Sequence, residues 1–285
     1  MSERGDILGR LAPLVLMIIL AAAALLPTDA GLDFANADAS AARQLAKGLD
    51  GLPADPLVLV GFDPDLGTYA EIRPTVRTLI ADLLERNARL AFISLTPEGR
   101  ALAITELERL RQAGIAPARL IDLGYLPGAE AGLVSLADAV AAAGRDSALA
   151  PRGLGGRAPS LAIVIGGNDL GPRSWVEQVE PRAPDLPIAA VVPAVLLPDV
   201  QPYVAGGQLS ALVATPRDGA AYRASANVGD FANVAESDGP PVVSVFLGLL
   251  AALGVLGAGV WSRLIDLARG SRGFDGQFSA RRPRW

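Results

Sequence analysis

The chain has 285 residues, 51% of them hydrophobic, with a net charge of −5 and neither cysteine nor histidine. Disulfides, thiolate nucleophiles, Cys/His zinc sites and every proton relay through imidazole are thereby excluded. Lys47 is the only lysine and lies outside any glycine-rich loop, so no Walker-type phosphate site exists, and the acidic balance argues against a nucleic-acid partner.

Leu11 to Leu26 is a 16-residue apolar block behind Arg10. It reaches about 20 residues if Arg10 snorkels towards lipid headgroups, enough to cross a bilayer. Ala35-Asn-Ala37 and Ala37-Asp-Ala39 have the small-x-small form of a signal-peptide cleavage site but stand nine or more residues beyond the apolar run, so an uncleaved signal anchor over 1–27 is expected. Residues 28–55 are rich in Ala and Asp and read as a connector, with a short helix over Ala41 to Leu49.

From residue 56 apolar runs alternate with amphipathic stretches. Leu57 to Phe62 predicts a strand and Tyr69 to Asn87 a helix; Arg89 to Leu95 and Pro97 to Gly114 repeat the pair. Leu120 to Leu123 and Gly128 to Ala143 form a third. Residues 144–160 interrupt the pattern with Gly, Pro and Arg and predict a mobile loop. Strands over Leu161 to Ile165, Ile188 to Val192 and Leu209 to Ala214 then alternate with helices over Ser174 to Val179, Asp199 to Ala205 and Arg217 to Ala226. Uninterrupted apolar strands between helices predict a parallel sheet covered on both faces. Right-handed crossovers make it a doubly wound, Rossmann-like α/β domain of about six strands over 56–230.

After a linker over 231–240, Pro241 to Trp261 is 21 residues without a charge, about 30 Å of helix. Six arginines against two aspartates follow in the tail 263–285, which predicts a transmembrane helix over 241–262 with its C-terminus in the cytoplasm. Both termini are then cytoplasmic, and the α/β domain lies on the extracytoplasmic side of the cell membrane. Ser244, Gly248 and Ala252 recur at four-residue spacing, a face on which another membrane helix could pack closely.

Ligands of doubly wound sheets sit beyond the carboxyl ends of the strands. The expected rim is Asp63, Asp65, Ser94, Thr96, Gly166, Gly167, Asn168 and Asp169, with Gly124, Tyr125, Thr215 and Arg217 farther out. The loop Gly61-Phe-Asp-Pro-Asp-Leu-Gly-Thr68 resembles the nucleophile loop of haloacid dehalogenase-like phosphohydrolases. That resemblance implies Asp63 as nucleophile, Asp65 as acid/base, Ser94 or Thr96 holding phosphate, and Mg²⁺ on Asp63, Asp65 and Asp169. The chain departs from the pattern in three ways: Thr68 comes one position late, the usual lysine is missing, and strand four brings one carboxylate where the family has two. Gly166-Gly167 offers backbone amides for an anion nest, or simply a turn. As a whole the chain resembles bacterial membrane-anchored Rossmann-like proteins that share Val60-Gly-Phe-Asp63 and Gln201-Pro-Tyr-Val-Ala-Gly-Gly-Gln-Leu209, a resemblance that brings no activity with it. The residues call for no cofactor. The expected function is a non-enzymatic binding or scaffold subunit of a membrane assembly, against two alternatives, the phosphohydrolase and a small-molecule sensor.

Overall fold

The computed structural model describes residues 39–145, 154, 157–168 and 170–235. Both apolar terminal blocks, the Ser244–Gly248–Ala252 face, the basic tail, Asp169 and most of the 144–160 loop lie outside the described residues. Among those described, no helix is long and apolar enough to cross a membrane.

Six strands form one parallel sheet: β1 (Leu57–Asp63), β2 (Arg89–Ser94), β3 (Leu120–Tyr125), β4 (Leu161–Gly166), β5 (Ile188–Val191) and β6 (Ala211–Val213), in the order β3-β2-β1-β4-β5-β6. The order reverses between β1 and β4, the two central and fully buried strands, which is the switch point of a doubly wound sheet. Eight α-helices accompany it among the described residues: α1 (Ser40–Asp50), α2 (Leu66–Glu85), α3 (Pro97–Gln112), α4 (Glu130–Arg145), α5 (Pro172–Val179), α6 (Leu197–Ala205), α7 (Pro216–Ser225) and α8 (Ala232–Ala235).

Alternation along the strands sorts the core into two layers. Val58, Val60 and Phe62 pack with α1, α2, α3, α7 and α8, whereas Leu57 and Leu59 pack with α4, α5 and α6. Each strand therefore feeds both cores, which is why its sequence is apolar throughout. On the first face α2 is so enclosed that polar groups are buried with it. Tyr222 donates to Asp82 Oδ2 (2.7 Å), Arg86 pairs with Asp82 Oδ1 (2.8 Å), and Arg77 and Arg109 flank Glu106. Burial and the Asp82 carboxylate both push the Tyr222 hydroxyl well above its ordinary pKa, so it stays a donor.

The domain extends past the limits read from the sequence. Ser40–Asp50, assigned to a connector, is helix α1, and its Ala42, Leu45 and Leu49 are buried in the core; at the other end Val234, assigned to the linker, is buried as well. The helix itself was expected over Ala41 to Leu49; what the Ala- and Asp-rich composition around it hid is that its Ala42, Leu45 and Leu49 face packs into the domain core. Helix α1 also covers β6, so the three-residue edge strand is buried rather than open to pairing.

Candidate functional site

Asp63 ends β1 with its side chain completely buried. Its Oδ1 accepts from the Leu95 amide (2.7 Å), the Thr96 amide (2.8 Å) and the Thr96 hydroxyl (3.0 Å). These donors lie where β2 passes into α3, so the carboxylate pins the start of α3 to the end of β1. Thr96 is itself the N-cap of α3 and accepts from the Gly99 amide (3.0 Å). Gly99 is required here, because a Cβ would stand 2.7 Å from Asp63 Cα. Oδ2 of Asp63 and the hydroxyl of Ser94 are both buried without a hydrogen-bond partner among the described residues. Burial raises the Asp63 pKa from 3.8 to about 6, with the Thr96 and Leu95 hydrogen bonds opposing the rise.

Asp65 turns the other way, back onto its own helix. As N-cap of α2 it accepts from the Thr68 amide (2.8 Å) and the Thr68 hydroxyl (2.6 Å). Burial works to raise its pKa, but hydrogen bonds from the Thr68 hydroxyl and amide and from Gly67 outweigh it and hold the carboxyl below its ordinary value. Gly167 packs against this cap. A Cβ on Gly167 would lie 2.7 Å from both the Asp65 amide nitrogen and the Thr68 hydroxyl, and closer still to Asp65 Oδ2. The Gly167 amide donates to the Asp63 carbonyl (3.1 Å), as does the Asn168 side chain (3.1 Å), while Asn168 Oδ1 accepts from the Leu170 amide (3.0 Å).

The structure thus brings Asp63, Asp65, Ser94, Thr96, Gly167 and Asn168 together at the switch point, with Gly166 ending β4 beside them; Asp63, Thr96, Gly167 and Asn168 fasten the β1, β2 and β4 loops to one another, while the Ser94 hydroxyl takes no part. With the Gly167 amide spent on Asp63 and no left-handed φ at Gly166 or Gly167, the pair makes a turn and not an anion nest. The side chains of Asp63 and Asp65 are held by different groups, one inward and one on the α2 cap. Among the described residues no group of three or more acidic side chains could hold a metal ion. The remaining rim residues stand apart. Gly124 and Tyr125 end the edge strand β3, with Tyr125 45% exposed; Thr215 and Arg217 begin α7 beyond β6.

Open space is found beyond β6, away from the switch point. A cavity of about 400 Å³ lies beyond β6, walled by α1, α6 and the start of α7. A smaller one of about 160 Å³ lies between Asn168, Arg173 and Tyr203. Ser40, Gln44 and Gln201 of the larger cavity were not anticipated as site residues, although Thr215 and Arg217 were. Recognising α1 as part of the domain is the signal that would have added Ser40 and Gln44.

Fold and rim together define a Rossmann-like α/β domain in which the described switch-point loops are bonded to one another. Comparison with protein-family models, with curated proteins and with solved structures yields no match to this chain.

Proposed function

We propose that the chain is a membrane-anchored protein whose α/β domain, held on the extracytoplasmic side between two transmembrane helices, is a non-enzymatic binding or scaffold subunit of a membrane assembly. The observation that carries this reading is the engagement of the switch-point residues with one another. Where enzymes of this architecture keep an open crevice, Gly167 is packed onto the Asp65–Thr68 cap and Asp63 is buried under the first turn of α3. A nucleophilic carboxylate needs an open side from which phosphorus can approach. Asp63 Oδ1 already has three donors, and the whole side chain is sealed from solvent.

The apolar blocks over 11–26 and 241–261 and the arginine-rich tail support the double anchoring. On this reading the Ser244–Gly248–Ala252 face packs against a companion helix. The test is purification of the tagged full-length protein from its native membrane in mild detergent, with mass spectrometry of what remains bound. A stoichiometric integral-membrane companion is expected, and Gly248→Leu should release it. A protein that purifies alone, or one with Mg²⁺-dependent phosphoester hydrolysis abolished in Asp63→Asn, would overturn the reading in favour of the sensor or the phosphohydrolase respectively.

A further inference from the structure

The cavity beyond β6 has the size, walls and charge of a small-molecule site. Its volume of about 400 Å³ falls within the range of about 300–1,000 Å³ typical of ligand pockets. It also lies beyond a strand's carboxyl end, where this architecture places ligands. Leu197, Val204, Leu212 and Ala214 give it an apolar wall, and Gln44 of α1 and Gln201 of α6 contribute side-chain amides.

The charge is specific. Arg217, in the first turn of the ten-residue helix α7, is the only base lining the cavity among the described residues, and among them it forms no hydrogen bond or ion pair. The neighbouring carboxylate is already engaged: Asp218 Oδ2 accepts from the Thr215 hydroxyl (2.7 Å) and the Thr215 amide (3.2 Å) in the α7 capping box. One uncommitted guanidinium beside the positive pole of a helix suits a single negative charge. A dianion such as phosphate would meet Asp218 with no second base to offset it.

We propose that this cavity binds a small monocarboxylate with a branched or short apolar body and one amide or hydroxyl group. Arg217 takes the carboxylate through its planar fork of donors. The hydrocarbon lies on Leu197, Val204 and Leu212, and Gln44 and Gln201 meet the remaining polar group. The site is separate from the locked switch point, and it stands whether or not the domain scaffolds an assembly.

N-acetyl-leucine has all three parts, and N-acetyl-leucinamide differs from it only in lacking the charge. Both are titrated against the full-length protein in mild detergent, followed by saturation-transfer NMR. Saturable binding of the acid in the millimolar range is expected, with none for the amide. Arg217→Ala should weaken the acid about tenfold, the equivalent of one charge-assisted hydrogen-bonded contact, and Arg217→Lys should restore part of it. Val204→Trp fills the cavity without changing the charge and should abolish binding; a purely electrostatic surface attraction would survive it. Should that variant not fold, Arg217→Ala and the amide control decide alone. A tripeptide ending in leucine with a free carboxylate separates the sources. Tighter binding than N-acetyl-leucine assigns the site to a polypeptide C-terminus, and equal or weaker binding to a free metabolite. Equal binding of acid and amide, no saturation by either, or unchanged affinity in Arg217→Ala would overturn the proposal.

Discussion

The two ends of the carboxyl rim are built from similar material to opposite effect. At the switch point and beyond β6 alike, a strand runs into a loop whose Asp or Thr caps the next helix: Asp65 caps α2, Thr96 caps α3 and Thr215 caps α7. At the switch point two such loops meet the β4 loop, and the glycines at their contacts let the three backbones approach closely. Beyond β6 only one loop arrives, α1 and α6 stand to either side, and a cavity remains. The difference teaches that strand-end polar residues are not in themselves a site. What decides is whether neighbouring loops use up their hydrogen-bonding capacity.

If the switch point is a fastening, substitutions there should change stability measurably and those around the cavity should not. The largest effect is expected from Gly167→Ala, whose methyl group would overlap Asp65 and Thr68; denaturant unfolding should show a loss of about 3 kcal/mol. Asp63→Asn should follow, in a pH-dependent manner. Because the folded-state pKa of Asp63 is raised from 3.8 to about 6, the folded protein holds that proton more tightly than the unfolded chain does. Its contribution is fully present below about pH 4 and is lost as pH rises through about 6, a difference approaching about 3 kcal/mol. The asparagine variant should therefore match the wild type near pH 4 and exceed it at pH 8. A variant that is less stable at pH 8 would mean that the ionised carboxylate is held by something the described residues do not include. Asp65→Ala removes one helix cap and should cost about 1 kcal/mol, with its acidic denaturation midpoint shifted less than that of wild type because the lowered Asp65 pKa no longer contributes. Gln201→Ala, exposed on the cavity wall, should change stability by less than about 0.5 kcal/mol.

How far the sequence could be read follows the same division. The strands were legible because burial on both faces leaves Leu57 to Phe62 or Leu161 to Ile165 almost no polar residue, and the helices between them because Ile72, Val76, Leu79 and Leu83 keep a helical period. The parallel, doubly wound sheet then follows from alternation and handedness. Helix α1 was expected as a helix, but composition obscured that it belongs to the α/β core. The roles of Asp63 and Asp65 were not legible, because Asp-x-Asp at a strand end serves equally as paired catalytic carboxylates or as a strand clamp and a helix cap. The choice rests on Leu95, Thr96 and Gly167, which lie about 30 and 100 residues away in sequence and are brought in only by the sheet order. The cavity was invisible for a related reason, since its walls come from segments as far apart as Gln44 and Arg217.

Native-state hydrogen exchange, followed by NMR or by mass spectrometry at residue level, tests the locked switch point most directly. The amides of Thr68, Leu95, Thr96 and Gly167 all donate to Asp63 or Asp65. They should exchange as slowly as those of β1 and β4, through global unfolding alone. Exchange as fast as that of the exposed Gly206–Gly207 turn would mean that the crevice opens in the native state, and would contradict the account of a rim fastened shut.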